Sequence, residues 1–369
     1  MDRRSFLKTS ALGGGAAAAS TLAAPAVAQG RITWRMVTTW PRNFPGLGTG
    51  AQRVADRITA ASDGALTVEV FAAGEMVPAL QSLDAVIDGS AEMSHGAAYY
   101  WLNKSQGLGF FTGVPFGMTS RELAAWVRYL GGQELWDDIY DDFGLVGFLS
   151  GDTGTQAGGW FQNELSGIED IQGLRFRTPG LGGQVWQKMG ASVTNMAGGE
   201  IFAALQSGAL DAAEFVGPYN DRALGFHQVR KHYYTMSFIE PGLATELAVD
   251  KAKFMELPAN LQGIIRDACQ AEYDQVPSEF YANDPIALAD MVENHGTIVH
   301  KDWPESVLEA GAAASKELLV EILDSGDAKT KAVAESFVQN LNLLRTRTEN
   351  TDLTFALARE KYFDISDLG

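Results

Sequence analysis

Over roughly the first 240 residues, apolar positions follow two alternating periods. Residues 32–39 (ITWRMVTT) and 66–71 (LTVEVF) alternate every second residue, as half-buried strands do. Residues 50–61, 80–88 and 121–135 carry apolar side chains three and four apart and read as amphipathic helices. Residues 144–149 read as a short buried strand. This β–α alternation predicts an α/β fold with mainly parallel sheets. Beyond residue 300 the pattern becomes helical: 304–324, 327–345 and 353–362 carry few strand signals. Such helices either brace the rest of the chain or join a second subunit, and the amphipathic pattern is compatible with both.

A weak internal echo links two parts of the α/β region. Residues 85–93 (AVIDGSAEM) and 204–212 (ALQSGALDA) each end a helix on a glycine, Gly89 and Gly208, before a short strand. A glycine there suits the left-handed conformation that closes a helix. The unit is common in unrelated folds; it is also what two lobes of similar build would show.

The N-terminus changes the setting. Residues 1–28 (MDRRSFLKTSALGGGAAAASTLAAPAVA) hold Arg3 and Arg4 before an Ala/Gly-rich run, then Ala26-Val27-Ala28. This reads as a twin-arginine (Tat) export signal and predicts a soluble protein of the bacterial periplasm starting near Gln29. The 369 residues less these 28 leave 341, enough for two domains. Removing Arg3, Arg4 and Lys8 with Asp2 takes the net charge from −18 to about −20. So acidic a body argues against nucleic acid and anionic membrane surfaces as partners, but not against small anions held in a local site. The single cysteine, Cys269, shares a helical apolar face with Ile265 and Ala268 and reads as a buried structural thiol.

Most catalytic patterns fail. From Gly180 a dinucleotide fingerprint would need glycine or alanine where Val185 stands. Asp152-Thr153-Gly154 and Asp324-Ser325-Gly326 mimic the paired loops of aspartic proteases, but the second closes a helix-patterned run. His95, His227, His232, His295 and His300 show no zinc spacing. Four polar residues remain in apolar or glycine-bounded settings: Gln156, Arg177, Glu214 and Glu240. In α/β folds ligands bind beyond the carboxyl ends of strands. An arginine there can grip a carboxylate bidentately, and two glutamates with a glutamine carbonyl and a peptide carbonyl are hard oxygen ligands suited to Na⁺ or Ca²⁺. Taken singly, each also fits a salt bridge or a solvated strand end.

Two stretches carry a family resemblance: residues 173–180 (GLRFRTPG) and 199–215 (GEIFAALQSGALDAAEF). Together they are similar to the DctP-like solute-binding proteins of TRAP transporters. Gly158-Gly-Trp-Phe161 and Glu214-Phe-Val-Gly-Pro-Tyr219 resemble the branch that binds 2-oxo acids such as pyruvate, or lactate, with a metal ion. The resemblance implies a two-lobed periplasmic binding protein fold with long C-terminal helices. One lobe would span 29–152 plus about 243–288 and the other 153–242 plus about 289–345. Residues 346–369 would form a C-terminal helix exchanged in a homodimer.

The resemblance implies Arg177 as the clamp for a small organic acid anion. It implies Gln156, Glu214, Glu240 and the carbonyl of Phe215 as cation ligands for Na⁺ or Ca²⁺, and TRAP permease subunits as partners. Gln156, Phe215, Trp40 and Tyr100 would also touch the ligand, with Tyr99 and Trp101 beside them. Phe215 departs from the tryptophan that follows the site glutamate in that branch, which leaves room for a larger ligand. No enzymatic activity is expected. A Tat-exported enzyme with a bound cofactor and a sensory module for a larger, aromatic carboxylate stay compatible with the residues.

Overall fold

The computed structural model describes residues 30–365, so the export signal read from residues 1–28 lies outside the described residues. Its strands are β1 (Ile32–Thr38), β2 (Leu66–Phe71), β3 (Met93–Gly96), β4 (Leu145–Asp152), β5 (Gly159–Phe161), β6 (Arg175–Arg177), β7 (Ser192–Thr194), β8 (Ala212–Ala213), β9 (His232–Tyr234), β10 (Ala244–Asp250) and β11 (Ile298–His300). Its α-helices are α1 (Leu47–Ala61), α2 (Ser82–Ile87), α3 (Ser120–Tyr129), α4 (Gly132–Asp141), α5 (Gly180–Lys188), α6 (Gly198–Gln206), α7 (Pro218–Leu224), α8 (Lys251–Glu256), α9 (Ala259–His295), α10 (Glu305–Leu323), α11 (Ala328–Arg347) and α12 (Leu353–Tyr362).

Two sheets organise these elements. One has the order β2-β1-β3-β10-β4 and the other β11-β9-β5-β8-β6-β7. The expectation of mainly parallel sheets needs correcting: β10 runs antiparallel to β3 and β4, and β5 antiparallel to β8 and β9. The reason is topological. The chain leaves the first sheet along β4, enters the second along β5, and returns from β9 into β10, so each crossing delivers a strand that runs against its neighbours.

The two crossing segments pair with each other. Thr153 N–H donates to Leu243 O, Gln156 N–H to Glu240 O, Ser237 N–H to Gln156 O and Gly158 N–H to Tyr234 O, all within 2.8–3.0 Å. Two adjacent, hydrogen-bonded connections of this kind are the build of a hinge.

Local chemistry explains most boundaries. α1 buries Leu47, Ala51, Val54, Ala55 and Ile58, a helical stripe set against the first sheet. Gly89 and Gly208 take φ of 80° and 73° after α2 and α6, so both copies of the internal echo end as predicted. Residues 121–135, read as one helix, are two: Gly131 adopts φ 87° and starts α4 in a new direction. Gly132 lies so close to Val127 and Trp126 that a Cβ would meet them at 2.8–3.1 Å, so the bend is packed tightly.

α9 is 37 residues long, roughly 55 Å at 1.5 Å per residue, and carries Pro277 and Pro285 inside it. Its first half packs on β4 and α1, its second on α7, so it straps both sheets together. α10 lies on α5 of the second sheet. α11, assigned by the sequence reading to the second lobe, instead packs on α3, α4 and the turn Gln106–Phe111. Phe337 meets Phe110 and Trp126 there, with ring centroids 5.2 and 5.4 Å apart, and the Trp126 indole donates to Ser336. Cys269 is buried with Ile265 and Ala268, as expected.

Among the described residues, no helix is long and apolar enough to cross a membrane.

One buried carboxyl makes the first core pH-sensitive. Glu246, on β10, receives hydrogen bonds from the Trp101 indole (2.9 Å) and the Tyr140 hydroxyl (2.5 Å). Burial pushes its pKa up to about 7 despite those two bonds. The folded state therefore holds this proton more tightly than the unfolded chain. The resulting stabilisation is complete below the unfolded value of 4.5 and disappears as pH rises through about 7. Glu246→Gln should raise the thermal midpoint by a few degrees at pH 8 and by much less at pH 5, measured by calorimetry at both pH values. Equal shifts at the two would reject the titration account.

Candidate functional site

The parallel strands β6, β7 and β8 end side by side, and their carboxyl ends supply the first wall of a polar site. Arg177 is the last residue of β6 and is wholly buried. Burying a guanidinium is costly unless its N–H groups are satisfied. Nε and Nη2 donate to Met196 O at 3.1 Å, just past β7, and Nη1 donates to Glu214 O at 2.7 Å, just past β8. Those bonds commit three of the five N–H groups to main-chain carbonyls and fix the plane of the fork. The Phe215 ring lies 5.4 Å from the guanidinium carbon and backs it. The positive charge also stands beside Tyr100, where it partly offsets the rise that burial gives the hydroxyl pKa.

Glu214 follows β8 directly, positioned by its N–H donating to Arg177 O at 3.0 Å. The Thr178 hydroxyl donates to its Oε2 at 3.3 Å, and Arg177 Nη1 stands 3.7 Å from that oxygen. Burial still dominates and drives its pKa up to about 8, helped by the nearby Asp221 charge and opposed by Arg177.

Glu240 comes from the other direction, on the β9–β10 crossing segment, where its N–H donates to the Ser237 hydroxyl. Its side chain is buried, and Oε2 has no hydrogen-bond partner. Burial and the Glu214 charge both push its pKa well above the usual carboxylate range, against the pull of Arg177. Room for this carboxylate exists because residue 113 is glycine: a Cβ there would stand 2.4 Å from Glu240 Oε2.

Gln156, on the β4–β5 crossing segment, completes the group. The Thr153 hydroxyl donates to Gly154 O at 3.1 Å, which leaves its oxygen to accept the Gln156 amide N–H, also at 3.1 Å. That choice turns the Gln156 carbonyl oxygen toward Glu214 Oε1 and Phe215 O, 2.7 and 2.8 Å away. With the amide reversed, its nitrogen would donate to both and its oxygen would accept from the Thr153 hydroxyl at 3.1 Å, which satisfies the group without an ion. In the first orientation three oxygens converge with no hydrogen among them, beside the orphaned Glu240 oxygen, and such a donor set fits a hard cation. The residues present therefore suit Na⁺ or Ca²⁺.

The aromatic residues lie opposite. Tyr99 and Tyr100 pack edge to face at 4.8 Å, and both are buried. The Tyr99 hydroxyl feels both glutamates, which add to the effect of burial in raising its pKa. Trp40 packs on Tyr100 with centroids 6.3 Å apart, while its indole N–H is taken by His95 Nδ1 at 2.9 Å. Trp101 is buried in the first core, its N–H on Glu246. Phe215 contributes its carbonyl to the oxygen cluster and its ring to Phe44 of the first lobe, 5.9 Å away. Gly198 makes space for that ring; a Cβ there would meet it at 2.6 Å.

Several contributors escaped the sequence reading. Met196 and Gly113 act through a carbonyl and through an absent side chain, neither of which residue type advertises. Asp221 is buried at the start of α7, where it accepts from the Trp160 indole (2.9 Å) and the Val216 N–H (3.3 Å) and so holds the Phe215–Val216 backbone. Asp221 stands between Asn220 and Arg222, a polar setting that gave the sequence reading no reason to single it out.

The family model for bacterial extracellular solute-binding proteins, family 7, matches residues 36–325. A monocarboxylate 2-oxoacid-binding periplasmic protein of Nostoc sp. (strain PCC 7120) is 37% identical over 306 residues, 83% of each chain. Two solved TRAP periplasmic solute-binding proteins, one from Pseudoalteromonas atlantica T6c with sodium and pyruvate and one from Colwellia psychrerythraea with calcium and pyruvate, are similar in fold. Each has a TM-score of 0.85 and 35% identity, covering 89% of this chain and 99% of the other. With the family pattern running through both sheets and most of its length, the chain belongs to the family 7 bacterial extracellular solute-binding proteins, the receptors of TRAP transporters.

Proposed function

We propose that this receptor captures a small monocarboxylate bearing a 2-oxo or 2-hydroxy oxygen, pyruvate and lactate being the simplest cases, together with one Na⁺ or Ca²⁺. The observation that carries the reading is the convergence of Gln156, Glu214 and the Phe215 carbonyl beside an unpartnered Glu240, one residue layer from Arg177. Charge balance supports it. Two buried glutamates and a bound carboxylate set three negative charges against the single positive charge of Arg177. A buried excess of two is costly, and Ca²⁺ would cancel it where Na⁺ would leave one. The ion would supply electrostatic attraction for the ligand's carboxylate and its neighbouring oxygen. The two Nη hydrogens that Arg177 keeps free of main-chain carbonyls would grip the carboxylate. Relatives of this chain that bind pyruvate hold sodium in one case and calcium in another, which supports the same ligand class here.

The role is delivery to a membrane permease and involves no catalysis. Closure by rotation about the paired crossing segments would shut Phe44 and Tyr99 over the site. Export through the twin-arginine route rests on Arg3, Arg4 and the Ala26-Val27-Ala28 site. The C-terminal segment supports a homodimer. α11 continues through a π-helical turn, Thr348–Asp352, into α12, where Leu353, Phe355, Leu357 and Tyr362 are exposed. A helix with that many exposed apolar residues needs a partner surface, and a second copy supplies one.

Three measurements test this reading. Titration calorimetry with pyruvate should show Arg177→Ala losing about 2–5 kcal/mol of binding, roughly thirtyfold in affinity or more; retained affinity would reject the clamp. In buffer freed of Na⁺ and Ca²⁺, pyruvate affinity should fall and be restored by adding either ion. An unchanged dissociation constant there would remove the cation. Light scattering should give a dimer for the mature chain and a monomer for a chain ending at Arg345, and a monomeric full-length chain would rule out exchange.

A further inference from the structure

At the outer edge of the second sheet, away from the carboxylate site, two histidines far apart in sequence meet. β9 and β11 run parallel, with His232 opposite Ile298 and Tyr234 opposite His300. This register puts His232 and His300 on one face, two positions apart. Their rings stack at 5.3 Å, and His232 Nδ1 lies 3.0 Å from His300 Nε2. Glu164 approaches the other nitrogen of the same ring, its Oε1 3.8 Å from His300 Nδ1, and one ligand atom from each of the three residues lies within 4.8 Å of the others, so its exposed side chain would swing toward Nε2 to join an ion held between the rings. We propose that Glu164, His232 and His300 form a second metal site, taking a borderline divalent cation of the zinc type.

The geometry is built rather than incidental. Tyr234 stands at the centre of it. Its ring stacks on His300 at 4.6 Å and on Trp303 at 4.4 Å, with interplanar angles of 17° and 22°. Its hydroxyl accepts the Leu165 N–H at 2.9 Å, which anchors the residue next to Glu164. One tyrosine therefore fixes a ligand ring from below and the loop carrying the carboxylate from the side. Such outer contacts are what orient metal-bound histidines.

Two imidazole nitrogens bound to one ion at about 2.1 Å stand about 3.0–3.4 Å apart, which the observed pair already satisfies. Two imidazoles and one carboxylate favour zinc, cobalt or nickel over the hard ions that suit the all-oxygen site. Both histidines are partly accessible and Glu164 is exposed, so an ion can enter without unfolding the sheet. The competing description is a plain N–H···N hydrogen bond between the rings.

Titration calorimetry decides between them, on mature protein made without a polyhistidine tag and kept in millimolar Ca²⁺ so that the oxygen site is not open to zinc. Zn²⁺ should bind with one equivalent. Glu164→Ala, a change at an exposed side chain that leaves the aromatic stack alone, should weaken it about tenfold or more. His232→Ala with His300→Ala should abolish it. Arg177→Ala should leave zinc binding intact while losing pyruvate, which separates this site from the other. Absence of zinc binding at millimolar concentration, or an affinity unchanged by both the Glu164 and the double histidine variants, overturns the proposal.

Discussion

Two carboxylates buried against one guanidinium set the terms on which this protein closes. Glu214 and Glu240 belong to different segments, yet burial raises the cost of ionising both, and the Glu214 charge raises it further for Glu240. Arg177 cannot relieve both: three of its N–H groups hold main-chain carbonyls, and it stands 3.7 Å from the nearer glutamate oxygen. The site is thus short of positive charge by construction. Such a deficit has little use in a stable core, where an apolar replacement would cost less. It makes sense in a receptor, because the closed state then depends on what is brought in. Under the proposed function, an anion alone would deepen the imbalance, and a cation alone would leave Arg177 without a carboxylate. The pair together satisfies both.

The topology turns that dependence into motion. Gln156 and Glu240 lie on the two segments that cross between the sheets, hydrogen-bonded backbone to backbone. Arg177 and Glu214 lie at the strand ends of the second lobe. Part of the oxygen cluster thus sits on the crossing segments, and the first lobe contributes mostly aromatic surface, Phe44, Tyr99 and Tyr100. Asn220 donates to Pro45 O at 2.9 Å and ties α7 to the segment before α1. Asp221 serves the same end: by gripping Val216 N–H it keeps the Phe215 carbonyl aimed at the oxygen cluster while the Phe215 ring meets Phe44.

How much of this could be read in the sequence depended on whether the signal was local. Strand periodicity placed β1 and β2 almost to the residue, and the helical pattern placed α10 and α12. The two glycine caps followed from chain stereochemistry alone. Where tertiary context decided, the reading failed. Leu130-Gly131-Gly132 sits inside an apolar period that continues smoothly on both sides, so the break there was invisible. Pro277 and Pro285 hid the longest helix, because proline normally ends the pattern; α9 tolerates both while binding the two lobes. The lobe assigned to α11 was wrong because the chain order that follows α10 says nothing about which sheet offers the matching groove. Arg177, Gln156, Glu214 and Glu240 were legible as polar residues in apolar or glycine-bounded settings, but Met196 and Gly113 were not, since a carbonyl and a missing Cβ have no residue signature.

The histidines show the same limit from the other side. Zinc motifs are recognised by ligands a few residues apart on one turn or helix, and His232 and His300 are 68 positions apart. Their meeting is a consequence of strand register: a shift of one residue between β9 and β11 would send the rings to opposite faces. That register is held by the aromatic stack of Tyr234 and Trp303, which packs against the same core that supports β5. β5 also leads directly back to Gln156. The outer edge and the crossing segments are therefore joined by one strand and its packing, so rigidity imposed at the edge would steady the segment that carries Gln156.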